Sequence, residues 1–155
     1  QRQMCIRDSF TIEANYNSGM VDYNIPFTAC HELSHLKSFM QEQEANFIAF
    51  LASTSYEDPE FQYSGYLLGW IYCMNVLYDA DYESWQEVRE GLAAAVEPDL
   101  KENNGFWARY DGRVAEVADQ VNDRYLQANG QEEGVKSYDR MVDLIVAYYQ
   151  GGKGK

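Results

Sequence analysis

Both histidines of the chain, His31 and His35, lie four residues apart in "HELSH", with Glu32 directly after the first. In a helix, positions i and i+4 are offset by roughly 40° about the axis and by about 6 Å along it, so both imidazoles can reach one ion. Neutral imidazole is a preferred zinc ligand. Glu32 is offset from His31 by about 100°, beside an ion held by the pair rather than on it. That place suits a base taking a proton from a water whose pKa a metal lowers to about 7. The same five residues also fit an ordinary helix with two satisfied histidines. A third ligand has to separate the two readings.

Glu42 and Glu44 are the candidates. On one unbroken helix Glu42 would share the histidine face but lie about 10 Å further along, out of reach of the same ion. A site therefore requires the chain to reverse between His35 and Glu42, with Ser38 or Met40 as the turning point. The segment "MQEQEAN" then opens a second helix that packs back through Ala45, Phe47, Ile48 and Leu51. Di-iron carboxylate bundles also use Glu-x-x-His but need a second copy on another helix. No histidine remains to supply it, so a single zinc ion is favoured.

"HELSH" followed by "EQEAN" and an apolar run resembles the gluzincin branch of the zincin metallopeptidases. In that branch the third zinc ligand is a glutamate on a second helix. The resemblance implies a Zn2+ cofactor held by His31, His35 and Glu42, with Glu32 as general base in peptide-bond hydrolysis. It implies that Asn46 orients a ligand histidine and that Glu44 falls on a variable position. The chain from Phe10 onward is also similar to an uncharacterised bacterial family of membrane-anchored zinc-dependent peptidases. The similar segments include "FTIEANYN", "IPFTACHELSH", "YSGYLLGWIYCMNVLY" and "VNDRYLQANGQEEGVKSYDRMVDLIVAYY". Members of that family look like a catalytic domain behind N-terminal transmembrane helices. This implies a membrane-associated full-length protein of which the present chain is a soluble fragment.

Two departures stand out. Ser38 occupies the place where a glycine would ease the reversal. No histidine is left to stabilise an oxyanion, so Tyr138 and Arg140 in "SYDRM" are the candidates for that role. A phenol or a guanidinium can donate to a developing oxyanion. The competing reading makes Tyr138 core packing and pairs Arg140 with Asp143.

The elements that must position these residues read as mainly α, with a small edge-strand segment near the N-terminus (α+β in that sense), in a zincin-like helical domain. Polar, β-forming residues precede Pro26, which suits the first turn of a helix that Thr28 could cap. Residues 53–61, "STSYEDPEF", read as a loop with turn chemistry around Asp58-Pro59. The apolar run over 63–78 is shorter than the ~20 residues needed to span a bilayer and carries Asn75, so it reads as a buried core helix. A helix over 82–96 follows. Pro98 opens the next segment, "KENNGFWARYDG" breaks it, and further helices are expected over 113–128 and 136–149. The last has Tyr138, Met141, Ile145 and Tyr148 on one side. Asn122 and Asp123, weak helix formers in mid-helix, are candidates to support a ligand.

The chain has 155 residues, 46% hydrophobic and 15% aromatic, enough for one domain with a sizeable core. Residues 1–9 read as a non-native leader, 10–150 as the catalytic domain and 151–155 as a disordered tail. A net charge of −13 excludes a basic nucleic-acid footprint and disfavours adsorption to anionic lipid. The expected partner is a peptide or protein substrate. Cys5, Cys30 and Cys73 are too few and too scattered for a disulfide framework. The alternative function is a non-catalytic helical domain, stabilised by zinc or binding a partner through an aromatic groove.

Overall fold

Accounting for the N–H groups at the start of the first helix, α1 (Asn24–Leu36), shows how the fold is anchored. The Asn24 and Ile25 N–H groups donate to the Val21 and Asp22 carbonyls at 2.9 and 3.1 Å. Pro26 has no N–H to satisfy, and the Phe27 N–H donates to Ser64 Oγ at 3.0 Å. Pro26 thus lies in the first turn as expected. Thr28 does not cap the helix but lies inside it, because a turn of backbone carbonyls upstream does the capping. This computed structural model describes residues 19–108 and 137–151, apart from the side chains at 107 and 137–139.

The helices that follow are α2 (Glu42–Ser55), α3 (Pro59–Ala80), α4 (Tyr82–Glu90), α5 (Glu97–Ala108) and α6 (Ser137–Gly151), with a 3-10 turn at Ala94–Val96. Helix accounts for 83% of the described residues and no strand occurs among them, so the class is mainly α. The loop expected over 53–61 narrows to residues 56–58, because α2 runs to Ser55 and Asp58 caps α3 by accepting from the Glu60 N–H. The edge strand expected before Pro26 is absent from residues 19–27, which form a turn and the start of α1. Its earlier part, residues 10–18, lies outside the described residues.

The core joins α1, α2 and α6 through Phe27, Ala49, Phe50, Met141 and Ile145. α3 packs against it less completely than the apolar run suggests. Ser64, Gly65, Leu67, Gly69 and Met74 are buried, whereas Tyr63, Tyr66 and Tyr78 are exposed. The contact side of α3 is its small-residue side, where backbones approach closely. A Cβ on Gly65 would lie 2.3 Å from Ser53 Oγ, and one on Gly69 would lie 2.8 Å from the Phe50 ring.

α4 stops at Glu90 rather than running on to residue 96; Gly91 follows, and the chain restarts as the 3-10 turn. α5 continues through residues 101–108, where a break was expected. Asn103 Oδ1 accepts from Asn24 Nδ2 at 2.9 Å, and Phe106 is buried. These tertiary contacts override the weak helix propensity of Asn and Gly. The expected helix over 113–128, with Asn122 and Asp123, lies outside the described residues. α6 extends to Gly151, the first residue of the expected tail, and buries Met141, Val142 and Ile145 while Tyr148 stays exposed. No helix among the described residues is long and apolar enough to cross a membrane.

Candidate metal centre

α1 carries His31, Glu32 and His35 in its last two turns, and its termination decides whether Glu42 can join them. Ser38 adopts φ 75°, the left-handed conformation that reverses the chain. Around it the Ser38 N–H donates to the His35 carbonyl at 3.0 Å and the Phe39 N–H to the Ser34 carbonyl at 3.2 Å. This is the Schellman pattern, which satisfies the last carbonyls of a helix and normally places glycine at the left-handed position. Gln41 is extended, and Glu42 is the first residue of α2. The reversal occurs at Ser38, one of the two places the sequence allowed.

The turn brings three donor groups together. His31 Nε2 and His35 Nε2 are 3.1 Å apart. Glu42 places Oε2 3.3 Å from His31 Nε2 and Oε1 3.4 Å from His35 Nε2. A tetrahedral zinc site with ligand bonds of about 2.0–2.1 Å holds its donors about 3.3–3.4 Å apart. The spacing and the donor set, two imidazoles and a carboxylate, therefore fit a zinc ion. Among the described residues these three form the only cluster of histidine, cysteine or carboxylate groups that could hold a metal. Their side chains are 14%, 10% and 21% exposed, so the centre is embedded but not sealed from solvent.

The electrostatics are those of a coupled cluster. Burial pushes the Glu42 carboxyl up, but hydrogen bonds and charge attraction from His31 and His35 together outweigh it and hold the carboxyl at about 2. The Glu42 hydrogen bond raises the His35 pKa against the opposing effect of burial, helped by the Phe39 carbonyl and the charges of Glu42 and Glu32. Glu32 is buried, at 4% exposure, and its charge is felt by His35. Its neighbour Cys30 is outside the cluster and takes a packing role against the core.

The supporting groups differ from expectation. His35 Nδ1 lies 2.7 Å from the Phe39 carbonyl, a partner that sequence reading did not identify. The Schellman turn creates that contact, and a backbone acceptor leaves no mark on residue type. Asn46 is buried, but its Nδ2 has no hydrogen-bond partner, and neither does His31 Nδ1. Glu44 is exposed on α2 and stands apart from the cluster. Arg140 is exposed in the first turn of α6, a helix that packs on α2 and α3. The Tyr138 side chain lies outside the described residues.

Searches of curated proteins and of solved structures return no match. A family described as "Protein of unknown function (DUF3810)" matches residues 6–146, nearly the whole length, and the chain belongs to that family.

Proposed function

We propose that this chain is the catalytic domain of a zinc-dependent peptidase of gluzincin type. The observation that carries the reading is the convergence of His31 Nε2, His35 Nε2 and the Glu42 carboxylate, with the buried carboxylate of Glu32 one residue from the first ligand. His31, His35 and Glu42 would hold the ion. When bound, zinc supplies a Lewis acid that polarises a carbonyl and acidifies a water. Glu32 accepts the proton of the attacking water and returns it to the leaving amine.

Three protein ligands in a centre not sealed from solvent suit catalysis, whereas a structural zinc site is closed by a fourth. Three is the number of clustered ligands among the described residues. From the resemblance to membrane-anchored peptidases we also infer membrane attachment of the longer protein, through a segment outside the described residues.

The test is Glu32→Gln. The variant should keep its zinc, measured by mass spectrometry, and lose about 10²–10⁴-fold in hydrolysis of an unfolded protein substrate. Full turnover in the variant would remove Glu32 from the mechanism. A wild type that holds zinc but cleaves nothing would move the reading to a zinc-stabilised structural domain.

A further inference from the structure

Resting on the metal-site reading above, we propose that the left-handed turn at Ser38 and Phe39 is a positioning device that sets the ring of His35 before any ion arrives. The acceptor is the Phe39 backbone carbonyl. At 2.7 Å from His35 Nδ1, it takes a hydrogen bond only if that nitrogen carries the proton. In the neutral ring the lone pair is then on Nε2, the atom that faces His31 Nε2 and Glu42 Oε1. The turn also fixes where α2 begins, because Ser38 reverses the chain and extended Gln41 leads directly into Glu42. One backbone conformation therefore sets both a ligand's tautomer and the third ligand's approach.

A metal-binding imidazole commonly donates its second N–H to a carboxylate, a backbone carbonyl or a water. In this chain the described partner of His35 Nδ1 is the Phe39 carbonyl, whereas His31 Nδ1 is buried without one. The two histidines are thus unequal: His35 is tied to the turn through Nδ1, whereas His31 has no hydrogen bond on Nδ1. Serine at a left-handed position is disfavoured, so the turn is held by its two carbonyl bonds rather than by residue preference.

The test uses cobalt(II) as a spectroscopic probe on the whole chain, together with ring 15N shifts of His35 in the metal-free protein at alkaline pH. Wild type should bind one cobalt ion with a tetrahedral absorption band, and metal-free His35 should already be protonated on Nδ1. Phe39→Pro removes the N–H that bonds to the Ser34 carbonyl, and Ser38→Val puts a β-branched residue at positive φ. Each should weaken cobalt binding about 10–100-fold and alter the band, with far-UV circular dichroism unchanged. Ser38→Gly, which keeps the turn and relieves it, should hold affinity within about twofold and raise the melting temperature by about 3 °C.

Should Phe39→Pro fail to fold, Ser38→Val and the His35 tautomer still decide. Wild-type affinity and band shape in the folded variants, or metal-free His35 protonated on Nε2, would overturn the positioning role while leaving the metal site intact. No cobalt bound by wild type would overturn the metal site itself, and the positioning role with it.

Discussion

The α1–α2 hairpin and the α3–α4 end of the molecule draw on similar residue types and use them in opposite ways. In the hairpin, Phe27, Ala45, Ala49 and Phe50 are buried, and the turn between the helices satisfies its own carbonyls. At the other end, Tyr78, Tyr82 and Trp85 pack mainly on one another, Tyr82 and Trp85 stacking at 5.5 Å with Tyr78 edge-on to both. No residue of α4 is buried. What holds α4 is local: Asp81 accepts from the Ser84 N–H at 3.1 Å, and the exposed Arg89 pairs with Glu97. Buried packing is concentrated around the hairpin where the three donor groups converge, and the α4 end is held by caps and surface pairs.

The sharpest way to break this comparison is to remove Glu42, the proposed third ligand that the hairpin brings to the histidines. Glu42→Ala should take zinc from near one per chain to near none, while Glu44→Ala keeps it; metal analysis of the two purified variants decides. The reverse result would move the third ligand to Glu44 and undo the geometric reading of the hairpin.

Truncation in the core should separate the two regions next. Met141 is fully buried, so Met141→Ala should cost about 2–5 kcal/mol in denaturant unfolding. Tyr82→Ala, at the exposed aromatic end, should cost about 1 kcal/mol or less. Equal losses would mean that the α3–α4 end is more deeply integrated than its exposure implies.

Two helical glycines sharpen the same contrast with opposite signs. At Gly65 an added methyl meets the buried Ser53 Oγ, and moving that hydroxyl would disturb its hydrogen bond to the Ala49 carbonyl at 2.6 Å and leave Thr54 Cγ2 at 2.9 Å. Gly65→Ala should destabilise by about 1–2 kcal/mol, overpacking outweighing the gain in helix propensity. At Gly105 nothing lies within 4 Å of the added methyl, so Gly105→Ala should stabilise by about 0.5–1 kcal/mol. Thermal melts of both variants give the signs directly.

A last contrast is in the pH dependence of the metal-free protein. The folded His35 pKa is raised above 6.5, so its contribution to stability is full below 6.5 and disappears as pH rises through the raised value. Glu42 is depressed from 4.5 to about 2, so its contribution is present above 4.5 and lost as pH falls through about 2. In chelator, stability from this pair should therefore peak between about 4.5 and 6.5. Zinc binding requires neutral imidazoles, so loading should shift the optimum upward. Melting temperatures across pH with and without chelator test this, and a shared optimum would contradict the coupling.

Much of the site was legible because helix geometry is local. The spacing of His31, Glu32 and His35 on one helix, and the demand for a reversal before Glu42, follow from 3.6 residues per turn and need no knowledge of the fold. The helical class was equally readable from apolar spacing, although α4 and α5 ended in other places than their residue types suggest. Weak formers such as Asn103 and Gly105 stay helical in α5, where Asn103 pairs with Asn24 and Phe106 is buried.

By itself, then, the sequence determined which groups could act and that the chain had to turn back. Tertiary structure alone decided the rest. Ser38 accepts a left-handed conformation, the Phe39 carbonyl meets His35, and Glu32 is buried while Glu44 faces outward. The physical reason is twofold: a backbone carbonyl leaves no mark on residue type, so even the four-residue contact of Phe39 with His35 has no signature, while burial and helix–helix approach belong to segments distant in sequence.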